Sequence, residues 1–182
     1  VFTSNWANLT GTGANSWARG GAIYAATTLT MTSAQVHSNG VYARFTTVYA
    51  TNGQGGGVFA NGAANLRDTH FMTNAVQSYS NVVNQYAYAS GGALYAVAVT
   101  TISGGSFASN TANVYMSALS YGSASGAGYS YGGGAYVNGA VAISGTRFLS
   151  NTATRIKVVN PTYGDYPTSC GGGGLYGYDA VT

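Results

Sequence analysis

The residues that could carry acid–base or metal chemistry are few and dispersed in this chain of 182 residues. They comprise three aspartates, two histidines and one cysteine, with no glutamate. Polysaccharide-cleaving or calcium-binding chemistry needs clustered carboxylates, whereas Asp68, Asp165 and Asp179 are interpreted as surface, turn and tail residues. His37 and His70 have different offsets from a repeated asparagine, so they are not expected to face each other across a metal. We therefore predict no catalytic residue, no metal site and no cofactor.

The remaining candidate groups have simpler explanations. Cys170 has no histidine nearby in sequence and is interpreted as a bystander thiol. The glycine runs 132–134 and 171–174 lack the lysine of a phosphate-binding loop. The six basic residues are scattered, which argues against a nucleic-acid footprint, and no apolar run approaches the roughly 20 residues of a membrane-spanning helix.

Two short markers instead recur along the whole chain. The first is a glycine pair followed by apolar residues. The second glycines of these pairs are Gly21, Gly57, Gly92, Gly134 and Gly174, which lie 36, 35, 42 and 40 residues apart. The second is an apolar residue followed, two positions later, by Ser or Thr and then by Asn. Its apolar residues are Phe2, Val36, Phe71, Phe107 and Phe148, and its asparagines are Asn5, Asn39, Asn74, Asn110 and Asn151. Internal repeats of this kind predict a repeat architecture.

One half of the repeat has a constant length and the other does not. The distance from the glycine marker to the next asparagine is 17 or 18 residues, while the return to the next glycine takes 16 to 24. A constant length indicates stacked structure, and a variable length indicates surface loops. We expect these inserts to leave from one corner, at residues 6–19, 41–54, 76–89, 113–131 and 154–170.

Within the constant half, apolar and polar residues alternate with a period of two, as at Leu29 and Met31 or Val141 and Ile143. Such alternation predicts strands, and three short strands per repeat predict a parallel β-solenoid. Two arrangements remain open. Either each repeat is one coil of about 20 residues with an insert, or it is two coils of about 18 residues.

The markers have structural explanations in such a fold. A glycine corner allows backbone angles and close approaches that a Cβ would forbid. The marker asparagine is expected to occupy a tight bend, to tolerate the left-handed region, and to bond its equivalents in a ladder with a spacing of about 4.8 Å. The apolar marker residues are expected to form a core stack along the axis.

The sequences Gly20-Gly21-Ala22-Ile23 and Phe107-Ala108-Ser109-Asn110, with their counterparts at 91–94 and 148–151, resemble the repeats of chlamydial polymorphic outer membrane proteins. Those repeats belong to the wider group of pectin-lyase-like β-helices. The resemblance covers nearly the whole chain. It implies an all-β, right-handed parallel β-helix that is displayed on a surface, with a role in adhesion or assembly.

The inserts carry most of the aromatic residues, and Tyr and Trp suit contact surfaces. We predict a lateral contact face that includes Trp6, Trp17, Tyr42, Tyr49, Tyr86, Tyr88, Tyr121, Tyr129, Tyr131 and Tyr163. The alternative is that these rings pack the inserts onto the helix. Asn8, in Asn8-Leu9-Thr10, is the one N-glycosylation sequon not blocked by proline.

The sequence predicts a single domain, residues 1–182, of about 4.5 repeats, as a segment of a longer solenoid or a filament subunit. We expect an extracellular or cell-surface structural or adhesive protein that associates with itself end to end. Surface glycans and other cell-surface proteins are further expected partners. A carbohydrate-binding module is the main alternative function, followed by a polysaccharide-active enzyme and an ice-binding solenoid.

Overall fold

The computed structural model describes residues 1–11, 16–45, 50–80, 86–117, 127–158 and 168–182. All regular structure in these ranges is β, and every strand pair is parallel. Equivalent strands of successive repeats stack into five sheets that form a β-solenoid of about 4 turns. The predicted solenoid fold is therefore confirmed. Within the same ranges, no helix is long and apolar enough to cross a membrane.

Five strands follow one another in each complete turn, and each belongs to a different sheet. Sheet A contains β1 (Phe2–Thr3), β6 (Gln35–His37), β11 (His70–Met72), β16 (Ser106–Ala108) and β21 (Arg147–Leu149). Sheet B contains β2 (Trp6–Gly11), β7 (Gly40–Phe45), β12 (Ala75–Ser80), β17 (Thr111–Ser117) and β22 (Thr152–Val158). Sheet C contains β3 (Ser16–Arg19), β8 (Ala50–Gln54), β13 (Tyr86–Ser90), β18 (Ala127–Tyr131) and β23 (Thr168–Gly171).

The last two sheets complete the turn. Sheet D contains β4 (Ile23–Ala25), β9 (Val58–Ala60), β14 (Leu94–Ala96), β19 (Ala135–Val137) and β24 (Leu175–Gly177). Sheet E contains β5 (Leu29–Thr32), β10 (Ala64–Arg67), β15 (Thr100–Ser103) and β20 (Val141–Ser144).

The pairing register shows that one repeat makes one turn. Phe71 pairs with Val36 on one side and with Phe107 on the other, and Val76 likewise pairs with Val41 and Ala112. Two coils per repeat would have paired residues about half a repeat apart, so that alternative is wrong. The insert is present, but most of it is strand and not loop, because sheets B and C carry its two flanks. The variation in length falls between those flanks, on ranges outside the described residues.

Two separate apolar cores hold the turns together. The first lies between sheets A, D and E and contains the largest buried side chains, including Phe71, Phe107 and Leu94. The second lies between sheets B and C and is built from small residues such as Val76, Ala87 and Ala112. Small side chains bring the two sheets together, and burial of both cores supplies the hydrophobic stabilisation of the stack.

Left-handed backbone recurs at the corners. The prediction that the asparagines adopt it is wrong. Between sheets A and B the positive φ angles belong to the residue before each asparagine, namely Ser4, Ser38, Thr73, Ser109 and Ser150. The asparagine amide is directed into the turn for hydrogen bonding, and the residue before it makes the bend. Between sheets C and D the left-handed residues are Gly20, Gly55, Gly91, Gly132 and Gly172, where glycine avoids the Cβ penalty.

The register also corrects the predicted glycine marker by one residue. Ile23 pairs with Val58, and Leu94 pairs with Ala135. The glycines equivalent to Gly21 and Gly92 are consequently Gly56, Gly133 and Gly173. The predicted markers Gly57, Gly134 and Gly174 lie one position later, level with Ala22 and Ala93.

The second core contains one buried polar atom that supports a stability prediction. Thr51 is fully buried on β8, and its hydroxyl has no hydrogen-bond partner in the described part of the chain. Thr51→Val keeps the shape and removes the unpaired hydroxyl, so we expect the free energy of unfolding to rise by about 1 kcal/mol. Urea denaturation measures the change.

The neighbouring Ser78 provides the matched control for this change. Its hydroxyl donates to the carbonyl oxygen of Tyr88 at 2.6 Å, so Ser78→Ala is expected to cost about 1 kcal/mol. A loss of stability in Thr51→Val as large as that in Ser78→Ala would contradict the assignment of an unpaired hydroxyl.

Candidate contact surface

The asparagine marker forms a continuous hydrogen-bonded ladder at the corner between sheets A and B. The Oδ1 atom of Asn74 accepts from both the backbone N–H and the Nδ2 of Asn39, each at 3.1 Å. Nδ2 of Asn74 donates to Val36 O at 2.8 Å and to Asn110 Oδ1 at 2.9 Å. Asn5 and Asn151 continue the same pattern at the two ends. The side-chain amide of Asn74 thus has a partner for every donor and acceptor, which explains how it is buried without cost.

The apolar marker residues stack beside this ladder. Val36, Phe71 and Phe107 are fully buried, and the rings of Phe71, Phe107 and Phe148 follow one another at centroid distances of 4.6 and 4.9 Å. Phe2 pairs with Val36 in the first turn and is 40% exposed. Both columns are therefore structural, and neither presents a reactive group to solvent.

The two histidines and Asp68 each have a different polar neighbour. His37 and His70 are both on sheet A, where a ring nitrogen of each lies within hydrogen-bond distance of a hydroxyl oxygen, that of Thr3 at 3.0 Å and that of Ser106 at 2.9 Å. Asp68 lies in a left-handed bend beside Arg67, with 3.6 Å between Nε and Oδ2.

No group of three or more His, Cys, Asp and Glu side chains converges within the described ranges. Cys170 is exposed on β23 opposite Ser130. Asp179 is exposed near the C-terminal end of the described chain, and Asp165 lies outside the described residues.

The structure divides the predicted contact face between two opposite surfaces. Sheets B and C face each other through their small residues, so the aromatic residues that alternate with them point outward on either side. Trp6 and Tyr42 belong to the outer face of sheet B, and that face carries the exposed Asn8 as well. The outer face of sheet C carries Trp17, Tyr86, Tyr88, Tyr129 and Tyr131. Tyr49, Tyr121 and Tyr163 lie outside the described residues.

A further aromatic row, which the sequence analysis missed, lies on the outer face of sheet D. Its rings form a row of five, namely Tyr24, Phe59, Tyr95, Tyr136 and Tyr176. The centroids are 4.8 to 5.4 Å apart, and the planes differ by 7 to 12°. The alternation of the sequence could have revealed this row. Leu94 and Ala96 on the same strand belong to the first core, so the residue between them must point outward.

The rows on sheets C and D meet at the glycine corner. Tyr131 contacts Tyr176 at a centroid distance of 4.7 Å and Tyr136 at 6.3 Å. We call the combined surface the C–D aromatic surface; it consists of Trp17, Tyr88, Tyr129 and Tyr131 together with the five rings of sheet D.

A cation covers part of this surface in the first turns. The guanidinium carbon of Arg19 lies 4.6 Å from the centroid of Phe59 and 5.3 Å from that of Trp17, while its Nε donates to Gln54 Oε1 at 2.8 Å. The contacts are cation–π interactions. They help to explain why Phe59 has no exposed surface although it points away from the core.

The packing of these rings changes the ionisation of their hydroxyls. Burial raises the pKa of Tyr136 to about 12, and the neighbouring Tyr95 and Tyr176 add to the effect. Burial also raises the pKa of Tyr95, although Arg19 opposes that rise. The hydroxyls of Tyr136 and Tyr95 are consequently neutral hydrogen-bonding groups at physiological pH.

This shift predicts a loss of stability at high pH. An unfolded tyrosine releases its proton near pH 10, whereas folded Tyr136 holds it up to about 12. The stabilisation is complete below pH 10 and is lost as the pH rises through about 12, since deprotonation favours the unfolded chain. We expect the fall in urea midpoint between about pH 9 and about pH 12 to be smaller in Tyr136→Phe than in the parent.

Tyr24→Phe is the control, because it removes a more exposed hydroxyl from the same row. We expect it to leave the parent's fall in urea midpoint largely in place. An alkaline fall that is the same in Tyr136→Phe as in the parent would contradict the assignment.

No family model, no curated protein and no solved structure matches the chain. The described residues offer two aromatic outer surfaces and a set of turn-to-turn ladders, and these can act through packing and hydrogen bonding.

Proposed function

We propose that this chain is a structural or adhesive rod of a cell surface or extracellular material, and that copies of it assemble end to end into filaments. The observation that carries the proposal is that the contacts joining adjacent turns repeat between equivalent residues. Asparagine bonds asparagine, phenylalanine stacks on phenylalanine, and tyrosine stacks on tyrosine. Contacts of this kind between turns of different copies would be heterologous and would build an open fibre.

The composition supports the placement at a surface. Only 5% of the residues are charged, and the chain has 28 glycines and 16 tyrosines. Hydroxyl and amide side chains therefore provide most of its polarity. The resemblance of its repeats to surface-displayed right-handed β-helices supports the same placement.

The main alternative function, carbohydrate binding, has weaker support from the ring geometry. Aromatic residues that bind sugars present a ring face to the ligand. Along sheet D, neighbouring rings stack nearly parallel, so each inner ring covers the faces of its neighbours and leaves no free ring face for a sugar. A glycan array is the direct test, and saturable binding of one glycan class there would favour this alternative.

Filament formation is tested by electron microscopy and sedimentation velocity over a range of protein concentrations. We expect unbranched fibres whose length grows with concentration. A single monomeric species at every concentration would contradict end-to-end assembly.

A pair of like substitutions tests the contact between copies. Asn151 Nδ2 also donates to Phe107 O at 2.8 Å, so only variants whose circular dichroism shows the parent fold are compared. Asn151→Asp places a charge in the last asparagine of the ladder, where it would be buried against another copy, and we expect it to suppress the fibres. Asn65→Asp makes the same change on the exposed outer face of sheet E, and we expect fibres to persist. Equal fibre formation by the two folded variants would contradict the proposed contact.

A further inference from the structure

The outer face of sheet B brings three tyrosines into contact across three turns. Tyr79 lies between Tyr42, at a ring-centroid distance of 5.0 Å, and Tyr115, at 4.3 Å. All three side chains are half-buried, so they remain open to solvent on one side. This cluster is separate from the C–D aromatic surface and takes no part in the contacts proposed for assembly.

The two contacts of Tyr79 differ in geometry. Tyr115 is directly opposite Tyr79 in the strand register, and the two rings are stacked with 4° between their planes. Tyr42 is opposite Gln77, so its contact with Tyr79 is diagonal, and the two planes are tilted by 39°.

That difference decides which pair is able to form a carbon–carbon bond. Coupling of two phenols joins the ring carbons next to the hydroxyls, and the product is a twisted biphenyl in which the rings lie side by side and not face to face. In the product, the Cβ atoms of the two residues must therefore be well separated. Directly opposite residues on neighbouring parallel strands are separated by the strand spacing of about 4.7–4.9 Å, whereas Tyr42 and Tyr79 are offset by two further residues along the strand, each with a rise of about 3.3 Å. The diagonal pair meets this requirement, and the stacked pair does not.

We propose that Tyr42 and Tyr79 are a dityrosine cross-linking site that joins the second and third turns covalently. The co-reactant is a peroxidase-class one-electron oxidant with hydrogen peroxide. Each phenol loses one electron and its hydroxyl proton, and the two phenoxyl radicals couple between ortho carbons. The proton on each coupled ring carbon then moves to the oxygen of the same ring, which restores both hydroxyls. In total the two tyrosines lose two hydrogen atoms, which reduce one hydrogen peroxide to two waters.

The surroundings of Tyr79 are compatible with this reaction. Its hydroxyl lies 3.3 Å from Gln77 Oε1 and is oriented to donate to it, which holds the ring beside its partners. Burial and the neighbouring Tyr115 and Tyr42 raise the pKa of Tyr79, so the ring is a neutral phenol before oxidation and its proton passes to solvent when the electron is removed.

The positions of the basic residues make the cross-link easy to identify. Trypsin cleaves after Arg19, Arg44, Arg67 and Arg147, which places Tyr42 in the peptide 20–44 and Tyr79 in the peptide 68–147. Tyr115 is in the same peptide as Tyr79, so a bond between these two tyrosines would not join two peptides. After treatment of the folded chain with horseradish peroxidase and hydrogen peroxide, we expect 20–44 joined to 68–147 with the loss of two hydrogens, together with dityrosine fluorescence.

Single hydroxyl deletions provide the controls. Tyr42→Phe and Tyr79→Phe are expected to abolish the joined peptide, whereas Tyr115→Phe is expected to retain it. Fragmentation of the joined peptide from the parent chain locates the bond independently of any variant. The proposal is overturned if the parent gives no joined peptide, if Tyr42→Phe retains it, or if fragmentation places the bond at another tyrosine.

Discussion

Replacement of Asn74 by leucine is expected to lower the free energy of unfolding by on the order of 3–5 kcal/mol. The side chain of Asn74 makes four hydrogen bonds in a fully buried position, two with Asn39 and one each with Val36 and Asn110. Leucine breaks all four and leaves the backbone N–H of Asn39 and the carbonyl of Val36 buried without those partners. A buried unsatisfied group costs about 1–3 kcal/mol. Urea denaturation followed by circular dichroism measures the loss.

The same replacement at the exposed end of the ladder is the control. In an unassembled copy, Asn5 bonds Asn39 and its own turn but remains open to solvent. In Asn5→Leu, Asn39 Oδ1 keeps the backbone N–H of residue 5 as a donor, and water can replace the other lost contacts. We expect a cost below about 1 kcal/mol there. Similar losses in the two variants would show that burial of the ladder does not govern its contribution to stability.

The second large effect is expected at the glycine corner between sheets C and D. An added Cβ at Gly92 would overlap the carbonyl oxygen of Gly133 and would lie 2.6 Å from the carbonyl carbon of Thr111. Both obstacles are backbone atoms of adjacent elements, so neither can rotate away. We expect Gly92→Ala to destabilise the chain by more than about 3 kcal/mol, since overpacking of this kind forces the backbone to shift.

Gly145→Ala separates this overlap from the cost of left-handed backbone. Gly145 has a φ of +63°, but its added Cβ would meet nothing closer than 3.9 Å. We expect a loss of about 1–2 kcal/mol there, from the left-handed conformation alone. Thermal and urea unfolding of the two variants measure the difference, and a smaller loss in Gly92→Ala than in Gly145→Ala would contradict the close approach between turns.

The sequence was sufficient to predict the columns formed by large or amide side chains. Asn74 and Phe71 recur at a nearly fixed spacing because each occupies the same buried place in its turn, where a shift of one residue would reverse the side chain. The glycine marker was predicted less accurately. The runs 55–57, 132–134 and 171–174 offer several equivalent positions, and glycine has no side chain that would distinguish the inner from the outer face.

The second core was not predicted from the sequence, for a related reason. In Tyr86-Ala87-Tyr88-Ala89 the small residues point inward and the aromatic residues point outward, which is the reverse of the usual hydrophobic pattern. Alanines contribute little to a hydrophobicity signal, so the inserts were predicted as loops with one aromatic face. Their pairing with equivalent strands above and below becomes evident only from the three-dimensional register.

Side-chain amide hydrogen exchange, measured by NMR, tests most directly whether the repeated asparagines are structural. We expect the Nδ2 protons of Asn39, Asn74 and Asn110 to exchange only when the stack opens and to be protected by orders of magnitude relative to those of the exposed Asn65. Exchange of all four side-chain amides at the rate of a free asparagine would contradict a buried ladder, and with it the interpretation of the repeat as the fixed framework of a rod.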